Sequence, residues 1–215
     1  MNISKLNLFL LTIFGAVVTA CGSMQQMQGA SITPVGEKES VIGLSATPVF
    51  DENTSEMIVF SVLQYNARHG INQKLDFGYH LNVPVIFGIN SEDTPPIAPL
   101  LPSIGADLKL QFLSNDNFDM AFDAGINLSF ASSANLGFII SNKNSYASVF
   151  SHYAQIPDIG FGSSDEERRF SLGYSLTFGH KVENVIYEIR LPVINNASTN
   201  ELMVRPPIVS IGLSL

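Results

Sequence analysis

Apolar and polar residues alternate with a period of two along most of the chain after residue 40, without a sustained 3.6-residue period. In 118–130, every second residue from Phe118 to Phe130 is apolar, and carboxylate, amide, hydroxyl and small side chains fill the other face. A period of two is that of a β-strand, whose side chains point alternately to the two faces of a sheet. The same alternation recurs over 75–89, 104–112, 170–178 and 209–215. The pattern therefore predicts an all-β domain.

Turn residues and changes of alternation divide residues 41–215 into ten strands. The predicted strands are 41–50, 56–67, 74–90, 103–114, 117–130, 135–141, 145–154, 169–181, 184–194 and 206–215. Short connections alternate with connections that are more often long and rich in Pro, Gly or Ser, such as 91–102 and 155–168. This arrangement predicts an antiparallel up-and-down β-barrel of about ten strands, with both ends of the chain on one side. Pro84 and Pro192 oppose it, because a proline lacks the N–H that a strand interior uses.

The apolar faces indicate where such a barrel would lie. They stay apolar for seven or eight alternate positions and often carry Phe near their ends, as at Phe77, Phe87, Phe170 and Phe178. Residues 41–215 resemble small outer-membrane β-barrels in this respect, which implies a membrane-spanning barrel with its apolar side chains outward. The alternative is a soluble, lipocalin-like barrel with apolar residues inward, binding an apolar ligand.

The first 20 residues have the form of an export signal. Lys5 lies in a short polar start, and an apolar run of about 13 residues follows from Leu6 to Val18. This run is too short for a helix that crosses a ~30 Å hydrocarbon core. We therefore expect residues 1–20 to be removed from the mature protein.

The end of this signal, Val18-Thr19-Ala20-Cys21, contains the only cysteine of the chain. It resembles the lipobox of bacterial lipoprotein precursors, an aliphatic residue and two small residues before the cysteine that receives the lipid. The resemblance implies acyl chains on Cys21 as the membrane anchor, a polar flexible tether over 21–40 and the barrel over 41–215. Gly22 favours the outer membrane under the sorting rule of enteric bacteria. An ordinary secretory peptide cut after Ala20 is the alternative, because Val18-x-Ala20 also fits its small-residue rule.

Composition narrows the function classes. Apolar residues make up 46% of the chain and charged residues only 14%, below the roughly 25% of an ordinary soluble domain. The formal net charge of −8 opposes nucleic-acid binding, which needs clustered Lys and Arg. We expect no nucleic-acid partner and no cofactor; membrane lipid is the expected partner, and protein partners remain open.

Candidate chemistry is sparse. The histidines, His69, His80, His152 and His180, have no second ligand at a recurring metal spacing, so we expect no metal site. His80 shares a polar face with Asp76 and Asn82, which predicts a polar network. Asp119 and Asp123 lie ~13 Å apart along one strand at ~3.3 Å per residue, too far for a carboxylate dyad. They are expected to pair with Lys109 or Arg190 inside a barrel.

One stretch suggests an enzyme. Outer-membrane barrels that deacylate lipid A carry a His with a nucleophilic Ser two residues later, and Ser151-His152-Tyr153 begins similarly. Position 154 is Ala, so His152 lacks a nucleophile at that spacing. We therefore expect no catalytic residues and no enzymatic activity. The leading hypothesis is a lipid-anchored outer-membrane β-barrel with a structural or surface role, too narrow for a general diffusion pore. A lipocalin-like lipoprotein and a lipid-modifying barrel enzyme are the alternatives.

Overall fold

The computed structural model describes residues 27–51, 56–89, 98–99, 102–128, 132–156, 169–196 and 201–215. These residues form one antiparallel sheet of twelve strands. The strands are β1 (Lys38–Asp51), β2 (Glu56–Asn72), β3 (Leu75–Ile89), β4 (Ala98–Pro99), β5 (Ser103–Ser114), β6 (Asp119–Leu128), β7 (Ser132–Ser141), β8 (Ser145–Ile156), β9 (Arg169–Val182), β10 (Val185–Asn196), β11 (Glu201–Val204) and β12 (Ile208–Ser214). Within the described ranges, no helix is long and apolar enough to cross a membrane.

Ten of the strands close into a barrel, and the short strands β4 and β11 extend it at one end. Consecutive long strands pair from β1 to β10, β10 pairs with β12, and β12 pairs with β1. The predicted all-β antiparallel barrel of ten strands is therefore confirmed. The largest difference in a strand boundary is in β2, which continues to Asn72 instead of ending at residue 67.

Asparagine side chains shape three of the four turns at one end of the barrel, which are 73–74, 115–118, 142–144 and 183–184. The Oδ1 atom of Asn72 accepts a hydrogen bond from the backbone N of Lys74 at 2.8 Å. Asn115 accepts two such bonds from the backbone of the β5–β6 turn, and Asn142 accepts two in the β7–β8 turn. Asn favours this geometry because its side-chain oxygen can accept a hydrogen bond from the backbone N–H two residues later, as a backbone carbonyl does in a turn. The end of the barrel formed by these turns and by 183–184 is called the short-turn end below.

Three prolines lie inside strands without breaking the barrel. Pro48, Pro84 and Pro192 each pair with only one long neighbouring strand. The pairing of β1 with β12 ends at Ala46, that of β3 with β5 ends at Asn82, and that of β10 with β12 ends at Arg190. Each proline therefore lies just beyond the paired part of one edge, where a missing N–H costs little.

Most polar side chains of the described strands point into the barrel, and most of the large apolar side chains point out. Asn82, Asn127 and Thr177 are at most 2% exposed, whereas Ile126 and Leu136 are more than half exposed. The predicted polar faces of β3, β5, β6, β9 and β12 all point inward. The described barrel is thus the inverse of a soluble domain, whose apolar residues are buried.

Two large aromatic side chains point inward against glycines of the neighbouring strand. Phe150 on β8 lies over Gly137 on β7, and Tyr146 on β8 lies over Gly179 on β9. A Cβ atom at either glycine would overlap the aromatic ring. The absence of a side chain at these glycines is therefore required for the rings to fit in the lumen.

We predict that Gly137→Ala lowers the free energy of unfolding by about 1–3 kcal/mol, because the new methyl group overlaps Phe150. Urea unfolding in detergent micelles, followed by circular dichroism, measures the loss. The double variant Gly137→Ala/Phe150→Leu should recover part of it, since the smaller side chain makes room. If Gly137→Ala lowers the free energy of unfolding equally in the wild-type and the Phe150→Leu backgrounds, overlap with the Phe150 ring is not the cause of the loss.

Candidate functional site in the barrel lumen

Five charged side chains meet in the lumen near the short-turn end: Arg68, Asp76, Asp107, Lys109 and Asp123, called the lumen charge cluster. The guanidinium of Arg68 contacts all three carboxylates, with Nε 3.3 Å from Asp76 Oδ1 and Nη2 2.9 Å from Asp123 Oδ2. Lys109 Nζ lies 3.3 Å from Asp76 Oδ2. Strand pairing brings the set together, because Lys109 is directly opposite Asp76 on one side and Asp123 on the other. Arg68 is therefore the central cation of the cluster.

The predicted pairing of Asp119 and Asp123 with Lys109 or Arg190 is wrong for the direct contacts, although Lys109 lies directly opposite Asp123 in the same cluster. The ion-pair partner of Asp123 is Arg68, and Asp119 accepts a hydrogen bond from Ser31 Oγ at 2.7 Å. Arg68 was missed because the predicted second strand ended at residue 67, before the polar Arg-His-Gly sequence. Its alternation with Asn66 and Gln64 was the available signal, since all three are buried on the lumen side.

His80 faces the lumen beside the charge cluster. Its Nδ1 lies 3.8 Å from Asp107 Oδ2, and its ring lies over Gly105, where a Cβ atom would overlap it. Asn82, on the same face, donates a hydrogen bond to Ser103 Oγ at 3.3 Å. The expected polar network is present, but Asp107, which was not predicted to take part, is the carboxylate next to His80.

The segment before β1 enters the barrel. Residues 27–35, called the N-terminal segment, run near the short-turn end from the buried Met27 through the lumen to the exposed Val35, and lead to Gly36 and β1. Met27 N donates to Glu188, Ala30 N donates to Ser141 and Thr33 N donates to Asp76, which lie on three different strands. Met27, Ala30 and Thr33 are at most 1% exposed.

Lys109 connects the N-terminal segment to the charge cluster. Its Nζ donates to the carbonyl oxygens of Ser31 at 2.6 Å and Gly29 at 3.1 Å, while it pairs with Asp76. A flexible tether was predicted over 21–40. In the part of it that the structure describes, residues 27–33 are held by hydrogen bonds to lumen side chains. They are held because the backbone of 27–33 supplies donors and acceptors that buried lumen side chains need. The predicted signal peptide and Cys21 lie outside the described residues.

A second polar group surrounds Glu188 on β10. Tyr146 Oη donates to Glu188 Oε2 at 2.5 Å, and Arg190 Nη2 lies 3.5 Å from Glu188 Oε1. Arg190 Nε also donates to Thr177 Oγ1 at 3.3 Å. All four side chains are buried, so their charges and hydroxyls compensate one another within the lumen.

A cavity of about 20 Å³ lies against the lumen charge cluster, bounded by Gln28, Asn66, His80 and Asn135 among others. About 10–15 Å³ is enough for one water molecule, so this space suits a bridging water better than an organic ligand. Several buried polar atoms of its wall, including His80 Nε2 and Asn135 Oδ1, have no hydrogen-bond partner among the described residues. Polar atoms of this kind are the usual partners of a buried water.

Two Ser–His pairs are formed between β8 and β9. His152 Nε2 lies 2.8 Å from Ser175 Oγ inside the lumen, and His180 Nδ1 lies 2.8 Å from Ser145 Oγ on the outer surface. The sequence has Ala154 two residues after His152, and strand pairing supplies Ser175 from β9 instead, which local spacing does not reveal. In the described part of the chain, no carboxylate hydrogen-bonds to the second ring nitrogen of either histidine. The orienting group of a catalytic triad is thus lacking there.

Among the described residues, no group of three or more His, Cys, Asp or Glu side chains could hold a metal ion. The carboxylates of the charge cluster instead contact Arg68 and Lys109. The geometry of the lumen therefore fits internal charge compensation.

We predict that Arg68→Met lowers the free energy of unfolding by about 3 kcal/mol, because three carboxylates lose their common cation. Urea unfolding in micelles measures the loss. Lys74→Met, at an exposed turn position, is the matched control and should change stability by less than about 0.5 kcal/mol. The double variant Arg68→Met/Asp123→Asn should be more stable than Arg68→Met alone. If it is less stable, Arg68 does not act by neutralising Asp123.

No protein-family model and no curated protein matches the sequence. Among solved structures, the chain is similar to an outer membrane channel from Pseudomonas putida F1, with 9% identity, coverage of 86% of this chain and 98% of that chain, and a TM-score of 0.46. It is also similar to the outer membrane protease OmpT from Escherichia coli, with 9% identity, coverage of 88% and 97%, and a TM-score of 0.38. Both TM-scores are below 0.5, so neither similarity indicates a function for this chain.

Proposed function

We propose that this protein is a β-barrel that spans the bacterial outer membrane, carries a lipid anchor on Cys21 and has a structural or surface role. The observation that carries the proposal is the inverted polarity of the barrel. Leu108 and Phe122 are nearly half exposed on the outer surface, while Asp76 and Lys109 are at most 2% exposed in the lumen. An outer surface of this composition would be unfavourable in water and favourable in hydrocarbon.

The size of the apolar surface supports a membrane location. From Ile104 to Phe112, the outward side chains of β5 cover eight residue steps, roughly 26 Å along the strand at ~3.3 Å per residue. With the ~40° tilt of membrane barrels, this corresponds to about 20 Å along the bilayer normal, close to the ~25 Å apolar band of outer-membrane proteins. Closure of the sheet supports the same location, because a closed barrel pairs its backbone groups without water.

Aromatic side chains border the apolar surface near the short-turn end. Phe112, Phe122 and Phe138 on adjacent strands form one cluster, with ring centroids 4.8 Å apart for the first two and 5.9 Å apart for the last two. Tyr65 and Tyr79 form another, with ring centroids 6.3 Å apart. Aromatic girdles at this position are typical of outer-membrane barrels, since their rings suit the boundary between hydrocarbon and headgroups.

The contents of the lumen oppose a general diffusion pore. The lumen charge cluster and the N-terminal segment meet near the short-turn end, joined by Lys109. Inward rings such as Phe150 and Tyr146 occupy further space. A narrow barrel filled in this way leaves little room for a passing solute.

The same interior opposes the lipocalin-like alternative. A cavity for an apolar ligand needs mainly apolar walls. Here the described lumen wall is mainly polar, and ion pairs of Arg68, Lys109 and Arg190 lie within it. The buried apolar side chains of the described residues, such as Ile139, Phe150 and Ile186, are fewer than the buried polar ones. A soluble barrel of this fold would also leave its outer apolar side chains in water. The membrane-spanning barrel avoids both problems.

A surface role is favoured by the charge of the longer connections. The connections between the barrel strands at the end opposite the short-turn end, 52–55, 90–102, 129–131, 157–168 and 197–207, contain eight carboxylate residues and two arginines. They follow the ends of strands opposite the short-turn end, which is the external side of an outer-membrane barrel. Such acidic segments would present a hydrated surface to the environment.

The test is a Cys21→Ala variant that is exported with a cleavable, non-lipid signal. We expect the lipid-free protein to remain with outer membranes and to migrate faster on gels before heating than after, because the barrel itself spans the bilayer. Mass spectrometry of the wild-type protein should find acyl chains on Cys21, and no such mass should occur in the variant.

The two parts of the proposal can fail separately. Recovery of the variant in the soluble periplasm would contradict the membrane-spanning barrel and leave the anchor as the only attachment. An unacylated wild-type N-terminus would contradict the lipoprotein and leave the barrel intact.

A further inference from the structure

We propose that the outer surface of the barrel near the short-turn end carries a binding site for the phosphate of a phospholipid headgroup. The site consists of Lys38 and Ser40 on β1, Tyr65 on β2 and Tyr79 on β3, and is called the headgroup site. It rests on the proposed membrane-spanning barrel, because only such a barrel brings these side chains to the bilayer surface.

Strand pairing places these side chains side by side. Lys38 is opposite His69 across β1 and β2, and Ala67, two residues along, is opposite Tyr79 on β3. Lys38 Nζ lies 5.8 Å from the ring centroid of Tyr65 and 5.7 Å from that of Tyr79. The ammonium group therefore lies beside both aromatic rings, within the ~6 Å range of a cation–π contact with each.

Neighbouring residues fix the two rings. Ser40 Oγ lies 3.3 Å from Tyr65 Oη, and His69 stacks on Tyr79 with centroids 6.1 Å apart and planes 21° apart. Ala67, between the tyrosines on the same outward face, is fully covered although it points away from the lumen. An ammonium group and three hydroxyl groups thus border a preformed surface site. One of the Ser40 and Tyr65 hydroxyls donates to the other, so the ammonium group and two hydroxyls can donate hydrogen bonds to phosphate oxygens.

The charge of Lys38 is available to an anion. Among the described residues, no carboxylate lies within ion-pair distance of Lys38, although the chain has an excess of acidic residues. Its contacts are with the tyrosine rings, and the side chain is exposed. Aromatic faces position a cation without neutralising it, so the attraction for a phosphate remains.

The position of the site matches the headgroup region of the membrane. Farther from the short-turn end, the outward residues of the same strands are Ile42, Leu44, Leu63 and Leu81, each at least 40% exposed. In the other direction, β2 and β3 end at the exposed turn Gln73–Lys74. Lysine and tyrosine are preferred at this boundary, where a polar end meets water and a stem meets hydrocarbon.

The test uses detergent-purified, delipidated full-length protein and native mass spectrometry with added phosphatidylglycerol. We expect the wild type to retain one phosphatidylglycerol more tightly than further copies. Lys38→Met should weaken this first binding at least fivefold, and the double variant Tyr65→Phe/Tyr79→Phe should weaken it less, because the ammonium group remains. Millimolar inorganic phosphate should not displace the lipid, since the acyl chains contribute to binding.

Lys143→Met is the matched control, since Lys143 is an exposed lysine of the β7–β8 turn at the same end, without an aromatic contact among the described residues. Equal phosphatidylglycerol binding by the Lys38→Met and Lys143→Met proteins would overturn the headgroup site. Displacement by free phosphate would also overturn it, by showing an anion site without lipid specificity. Faster migration before heating verifies that each variant is folded. A wild type without this property contradicts the membrane barrel itself, so the two failures are distinguishable.

Discussion

Closure of the sheet is the constraint on which the rest of this structure depends. The chain starts and ends its barrel at neighbouring strands, because β12 lies between β10 and β1 and pairs with both. Without this closure, two long strands would expose unpaired backbone groups next to an apolar surface, which is unfavourable in hydrocarbon and prone to aggregation in water. Closure also divides the side chains into an outer apolar set and an inner polar set, so the surface and the lumen follow from one topological fact.

A closed polar lumen creates its own requirement, since buried charges need partners. Arg68 forms ion pairs with the carboxylates of three strands, and Lys109 connects that cluster to the backbone of the N-terminal segment through hydrogen bonds. The N-terminal segment is therefore part of the fold of the lumen, with hydrogen bonds to β3, β7 and β10. Its backbone satisfies side chains that would otherwise need water, and it narrows the barrel where the ion pairs lie.

The fold was predictable from the sequence because the alternation of polar and apolar residues can be recognised within each strand by itself. The alternation in 118–130 placed Asp123 and Asn127 on the same polar face of β6, and both are buried in the lumen. Contacts across strands were not predictable in this way, because they depend on register. Arg68 with Asp123, and His152 with Ser175, are distant in sequence and meet only through pairing and closure.

Inward aromatics made other strands hard to interpret. Tyr146 and Phe150 gave β8 apolar residues on its polar face, and only their positions over Gly179 and Gly137 explain this. The N-terminal segment was missed for a different reason: its sequence has no periodicity, and what orders it is the set of lumen side chains around it. The local alternation of residues thus predicts the strands and which of their side chains share a face. The partners of the charged lumen residues can be identified only in the closed three-dimensional barrel.

The central claim is that the outer face of the barrel meets hydrocarbon and the inner face does not. Lipid quenching tests it most directly on β9, in a background with Cys21 replaced by Ala. Single cysteines at Ser175, Leu176, Thr177 and Phe178 would be labelled with a small fluorophore and reconstituted into vesicles of brominated phospholipid. The account predicts strong quenching at 176 and 178, which point outward, and weak quenching at 175 and 177, which point into the lumen. Uniformly weak quenching at all four positions would contradict it.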